Sequence, residues 1–503
     1  MNVGLYASVA GLLTAQRAVD IASHNIANAE TEGFSRQRGD TSAALPLARA
    51  AIGNVGTGVK LDAINRVRDE LIDRQVRNEQ SKLGESEARS LTLTKLEQVL
   101  GEPGDTALSG RFAAYYDSWQ RLSTNPENTG YRLAVRDAAV SLTETFRGLN
   151  TSLEALRDEM MLRAEAVVAD LNQKATQIAD LNREIVATLV QGQQPNDLMD
   201  QRDVLIDQVS KLVKVQVVEV PSTGALNVYL GNQPLVAGPN AYMLDNPAVN
   251  ALTDTASIAF TKAPIDPATG AKVAATIGGG ELKAILEARN VTLAKLPPAA
   301  GQAEGVLFRL HQLATYVISD TNPIHTSGFD RFGDAGGAFF AGTNASDIAV
   351  SSTILTDATD GTGKQGFDLI AVAGEAPSSA SGGKADNRTA LEIVRRRFQN
   401  LVSKEPPPAD PRTSPPVAGA KPFEDFWQAT VSGIALSVQS AGRTVKTQEA
   451  LVLTVTERRS VVSAVSTDEE MANVIRYQKA YAASARMVST IDQMLDLLVN
   501  LGR

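Results

Sequence analysis

The chain has 503 residues, 43% of them hydrophobic but only 5% aromatic, with 48 Lys and Arg against 57 Asp and Glu for a net charge of -9, and no cysteine. That length exceeds one ordinary hydrophobic core and predicts about three domains. The acidic balance leaves a nucleic-acid partner no electrostatic footprint, and the missing thiols exclude disulfides and thiolate metal sites.

Residues up to about Asn28 predict a helix, with Ser8 as a candidate cap and with Asn25, Asn28 and Gly33 marking its end. Gly33 suits a positive φ there, and Phe34 suits an anchor for the returning chain. Leu5, Val9, Leu12, Gln16, Val19, Ser23 and Ile26 recur at alternating four and three spacing, the seam of a coiled coil. The stretch is interrupted by Thr14, Gln16 and Arg17, so it reads neither as a secretory signal nor as a membrane span, and no membrane insertion is expected. Residues 38–64 read as an extended stretch or short hairpin, 66–100 as a long helix broken by GEPGD, and 111–122 as a short aromatic helix.

The longest helical pattern lies in 131–191, with a heptad run from Met160 to Ile185 that predicts a rod of roughly 45 Å. Pro195 closes it, and Asp197 is a plausible N-cap for a further helix over 197–213. Alternating β-branched runs over 214–277 read as strands, with helices resuming at 278–290 and 307–318. Short strands are expected at 347–352 and 367–373, a stiff Pro-rich linker at 405–416, and helix from Phe423 with a lull at 463–467. Near the C-terminus Val474, Gln478, Tyr481, Ala485, Val488, Ile491, Leu495 and Leu498 form a second seam, able to pair with the first.

Asp197, Asp200, Asp203 and Asp207 are the best candidates for chemistry, since clustered carboxylates on one helix could hold a divalent cation. The competing reading pairs them with Arg202 and other nearby bases, and it prevails because no His and no loop-type ligands accompany them. DATDGTGKQGFD (357–368) lacks the sixth-position Gly and terminal Glu of a calcium loop, and GGG (278–280) lacks the Lys and Ser/Thr of a phosphate loop. The latter reads as a strand-to-helix joint. His24, His311 and His325 stand far apart with no acid or nucleophile at a recognised spacing, and Trp119 and Trp427 look like core anchors. No catalytic residue, cofactor site or metal site is expected, and the chain does not read as an enzyme.

NIANAETEGFSRQ (25–37) and EEMANVIRYQKAYAASARMVSTIDQML (469–494) resemble the terminal signatures of flagellar axial proteins, the family of rod, hook and hook-associated proteins. STNPEN (123–128), NDLMDQRDVLIDQVSKLV (196–213) and GGELKAILEARN (279–290) resemble segments of its hook-associated members. The resemblance implies a mainly α chain with a β-rich insertion: terminal helices paired as a coiled coil, a helical bundle, and an outer discontinuous β domain. The corresponding division is 1–64 with 463–503, then 65–213, 279–325 and 419–462, then 214–278 and 326–418. It further implies a structural role at the junction of hook and filament and export through the flagellar type III apparatus to an extracellular position. Expected partners are further copies of the chain in a ring or helical layer, the hook protein, a second junction protein, and an export chaperone at the C-terminal helix. Leu5, Val9, Leu12, Val19, Ile26, Asn28, Thr31, Gly33, Phe34, Val474, Tyr481, Ala485, Val488, Ile491, Leu495 and Leu498 are the expected assembly residues. The alternatives are another axial protein such as the hook subunit, or an adhesin or enzyme carried on the outer insertion.

Overall fold

The computed structural model describes residues 3–49, 53–261, 272–297, 304–357, 363–376, 385–403, 407 and 419–501. Helix α1 spans Val3–Ala27 and is followed by strands β1 (Gln37–Ala43), β2 (Leu47–Arg49), β3 (Gly53–Val55) and β4 (Val59–Arg66). Helices α2 (Glu70–Leu100), α3 (Leu108–Thr124), α4 (Thr129–Val190) and α5 (Asn196–Leu212) come next. Strands β5 (Gln216–Val220), β6 (Ala225–Leu230), β7 (Gln233–Ala237) and β8 (Asn240–Ala241) form an antiparallel sheet in sequential order. Helix α6 (Glu281–Glu287) runs into a π turn over Ala288–Thr292, and α7 covers Val306–Ser327. Short helices α8 (Ser352–Leu355) and α9 (Arg388–Arg396) precede the long α10 (Phe423–Ser463) and α11 (Thr467–Leu501).

Local chemistry sets most of these boundaries. Asp69 accepts the N–H groups of Leu71 and Ile72 to open α2, and Gly101 in the left-handed region at φ 59° closes it. Asn128 accepts the Tyr131 N–H to open α4. That helix continues unbroken for 62 residues, so the rod is about 90 Å long, twice the length expected from its heptad stretch. Ser8 is no cap, because α1 already begins at Val3 and the Ser8 hydroxyl donates to Gly4 O inside it. Asp197 lies in the first turn of α5 instead of capping it, since Pro195 fixes the start. The expected strand at 367–373 is a 3-10 turn, Gly366–Leu369, followed by irregular chain. Most of the Pro-rich linker and residues 358–362 of the calcium-like loop lie outside the described residues.

Helix α1 packs along α11, and α2 packs antiparallel to α10 with Gln448 donating to Glu79 O at 3.1 Å. The core gathers where α3 meets α4, α7 and α10. Phe112, Tyr115 and Trp119 are fully buried there against Phe339, Phe340 and Phe423. Trp427 is also buried, its indole N–H donating to Glu102 at 2.9 Å, so both tryptophans are core anchors. No helix among the described residues is long and apolar enough to cross a membrane.

Asparagines dock the extended segments onto the helices by imitating a strand. Asn25 donates to Gln37 O and accepts its N–H, both at 2.9 Å. Asn172 does the same with Leu244, Asn290 with Ala256, and Asn322 with Phe340. Asn182 donates to Leu226 O and Gly238 O at 2.8 Å each, and accepts the Leu226 N–H at 3.1 Å. A two-bond amide clamp satisfies a strand edge that a lone hairpin would leave open.

The GGG segment is a structural joint. Gly280 takes φ 85° and ψ -179°, and a Cβ there would lie 2.6 Å from Leu212 O and the Val213 backbone. Gly280→Ala is expected to cost about 2 kcal/mol, because backbone cannot withdraw as a side-chain tip can. A urea unfolding midpoint indistinguishable from wild type would contradict this.

Candidate assembly joint

The N-terminal signature folds as a turn that locks α1 to the bundle. Thr31 N–H donates to Asn28 O at 3.0 Å and Phe34 N–H to Thr31 O at 3.1 Å, so the segment after α1 coils back on itself. Gly33 holds φ 78°, and a Cβ there would sit 2.1 Å from Val204 Cγ2 on α5. The turn aims Ser35 at α5, where Asp200 accepts its N–H at 2.9 Å and its hydroxyl at 2.8 Å. Gln37 donates to Asp197 at 2.9 Å, and His24 Nε2 lies 3.3 Å from the same oxygen.

The aspartates of α5 meet arginines from three other segments. Arg66 bridges Asp200 and Asp203 at 2.8 and 2.7 Å. Arg68 joins Asp203 to Asp73, Arg77 joins Asp203 to Asp207, and Arg459 from the end of α10 joins Asp207 to Asp73. Asp203, Arg77, Asp207, Arg459, Asp73 and Arg68 thus close a ring of alternating charge. A second tie holds the start of α11: Arg36 contacts Glu469 and Glu470 at 3.1 and 2.7 Å, and its N–H donates to Ser463 O.

Burial opposes ionisation of Asp203, yet Arg68, Arg66 and Arg77 outweigh it and hold its pKa below the ordinary value. At Asp200 burial prevails over Arg66 and Ser35 and raises the pKa. The expected pairing of Arg202 with these carboxylates does not occur. It is buried with its guanidinium donating to Asn182 Oδ1 and Gly224 O, and burial lowers its pKa to about 10 against the pull of Asp203. Among the described residues no group of three or more His, Asp or Glu could hold a metal ion. This arrangement can fix an angle between rod and terminal helices.

The two terminal helices lie side by side, and on α1 the closest approach runs along small residues beside the apolar seam. Ala15, Ala22 and Asn25 are the buried residues of α1, and Gly11 meets Ser484 across the contact. Leu5, Leu12, Val19 and Ile26 are half-buried to one side, while Val9 is 39% exposed. On α11, Ile491 is buried and Val474, Ala485 and Val488 are half-buried, whereas Tyr481 and Leu495 are exposed. The side chain of Leu498 lies outside the described residues. Asn28 and Phe34 are half-buried in the turn, and Thr31 and Gly33 are exposed. The helices approach through small residues because larger ones would hold them apart.

His325, in the last turn of α7, is fully buried. The Ala371 N–H donates to its Nε2 at 2.9 Å, so its Nδ1 carries the proton and donates to Gly337 O at 2.6 Å. Burial lowers its pKa from 6.5 to about 4. Between these values the unfolded chain binds more protons than the folded one, so stability falls as pH falls through that window, by at most about 3 kcal/mol at pH 4. His325→Gln should start less stable at pH 7 and show a flatter decline to pH 4 in urea titrations; an unchanged slope would refute this.

Residues 93–340 match the family model described as flagellar hook-associated protein FlgK helical domain. Residues 5–34 match flagella basal body rod protein, and 462–501 match flagellar basal body rod FlgEFG protein C-terminal. Flagellar hook-associated protein 1 of Bacillus subtilis is 28% identical over 522 residues, covering 99% of this chain and 98% of the relative. Nearly the whole chain is thus similar to flagellar hook-associated protein 1. The Salmonella typhimurium relative is 26% identical over 580 residues, covering 98% and 99%. The fold is similar to that of the flagellar hook junction protein FlgK from Burkholderia pseudomallei, with TM-score 0.59 at 16% identity over 78% of this chain and 100% of the other.

Sequence reasoning found the α5 aspartates but missed Arg66, Arg68, Arg77 and Arg459, which lie up to 252 positions away. It also missed the small-residue face, although Gly11, Ala15, Ala18 and Ala22 carry the same four-three-four spacing as the apolar seam.

Proposed function

We propose that the chain is a structural component of the bacterial flagellum that joins hook to filament. The carrying observation is the pairing of α1 with α11, which brings two axial-protein signatures together in a chain that aligns nearly end to end with hook-associated protein 1 relatives. On this reading the terminal pair, 1–64 with 463–503, forms the inner wall of a tube. The bundle (65–213, 279–325, 419–462) surrounds it, and 214–278 with 326–418 face outward. The seam residues left partly or wholly exposed in the single chain, Val9, Tyr481 and Leu495 among them, meet neighbouring copies. The hook, a second junction protein, and an export chaperone at α11 are the proposed partners, and type III export the proposed route. The work is mechanical: inner helices continue the tube while lateral contacts absorb the mismatch between a bending hook and a stiff filament.

Electron microscopy of a deletion strain tests the reading. Hooks without filaments, restored by the gene in trans, are expected; missing hooks would instead favour the hook subunit, and intact filaments would overturn the proposal.

A further inference from the structure

A groove of about 680 Å³ opens between the turn after α1, the C-terminal part of α4 and the start of α5. Half-buried Phe34, Leu181 and Leu205 line it, while exposed Glu32, Asp180, Glu184 and Asp197 rim it. Among the described residues Glu32 and Glu184 make no ion pair, Asp180 pairs with Arg183 at the surface, and Asp197 meets His24 and the Gln37 amide without an arginine or lysine partner. An apolar floor with an acidic rim selects a helix that carries the opposite pattern.

Helix α11 carries it. Ile475, Lys479, Ala482 and Arg486 follow at spacings of four, three and four, which place them on one stripe. All four are exposed, and neither Lys479 nor Arg486 makes an ion pair among the described residues. The stripe lies away from the α1 contact, where Asn473, Tyr477 and Ser484 stand.

The groove cannot receive the α11 of its own chain. Ser484 is held against Gly11, so Arg486 sits near that level of α1, roughly 25 Å of helix from the turn at 28–34. We propose that the groove receives α11 of a second copy, with Ile475 and Ala482 on the apolar floor and Lys479 and Arg486 against the carboxylate rim. This rests on the reading that copies assemble into one axial layer. Groove and stripe are different surfaces, so the contact is heterologous and passes from copy to copy. Charge complementarity fixes its register.

The absence of cysteine makes the test clean. The double variant Gln201→Cys with Ala482→Cys, oxidised in isolated hook-filament particles, should give covalent multimers that neither single variant gives. Lys479→Glu with Arg486→Glu should reduce filament-bearing hooks by about tenfold, and adding Glu32→Lys with Glu184→Lys should restore them. No multimers in particles that carry filaments, or attachment unchanged by the reversal, would overturn the docking while leaving the junction role intact. The cross-link retains the native charges, so it decides even where a reversed variant fails to fold. Failure of the junction role itself appears separately, as filaments in the deletion strain.

Discussion

Asp203→Ala is expected to cost about 3–5 kcal/mol, because it strands buried cations. Arg66, Arg68 and Arg77 all converge on Asp203, and the aspartate itself is only 6% exposed. Removing it leaves these guanidinium groups short of acceptors in a place water reaches poorly. A compensating double change should separate charge from fold: Asp203→Leu with Arg68→Met should recover part of the loss, since an apolar pair of similar volume does not need the absent partner. Denaturant titration measures the stability, and proteolysis at the α10–α11 link reports whether the joint loosens first. A loss under about 1 kcal/mol would mean that solvent, not Asp203, satisfies these arginines. Because the Asp203 pKa is lowered in the folded chain, its contribution is present above the ordinary carboxylate pKa and disappears as pH falls through the folded value.

Asn182→Ala is the second large effect, again about 3–5 kcal/mol. The amide is fully buried, and its four bonds join Leu226, Gly238 and Arg202. Truncation leaves strand β6 with an unpaired N–H and carbonyl and removes the one side-chain acceptor of an arginine already disfavoured by burial, at about 1–3 kcal/mol for each orphaned group. Asn182→Asp is the informative comparison. A carboxylate keeps the bonds from Leu226 N–H and Arg202 but cannot donate to the two carbonyls, so its cost should fall below that of alanine. If the two variants were equally unstable, the acceptor bonds that aspartate retains to Leu226 and Arg202 would contribute nothing, and the two-sided strand-mimic reading would fail. Amide exchange on β5 and β6 should rise in both.

Local pattern made the helical inventory legible, since α2, α4 and α10 follow from their helical patterning and from breaks such as GEPGD. Gly33 and Gly280 were also readable, because turn chemistry is decided within a few residues. The small-residue strip by which α1 approaches α11 was passed over for an equally physical reason. Large apolar residues mark where burial is worth most, whereas the closest helix contacts belong to residues with little to bury, such as Gly11, Ala15 and Ala22. The hub stayed hidden because Arg66 and Arg459 come together only once α2 and α10 have paired.

The asparagine clamps bear on how this chain could change length over evolution. Each one fastens a small extended segment to a helix by bonds of its own: Asn172 holds Leu244, Asn290 holds Ala256, and Asn322 holds Phe340. None of these segments relies on a continuous sheet to finish its hydrogen bonding. A loop can therefore lengthen between two fastening points without disturbing either, at a closure cost that grows only slowly with size. Alignment with the Salmonella typhimurium relative extends over 580 positions against 503 residues here, and a surface pinned at separate points can absorb such insertions while the rod beneath keeps its register.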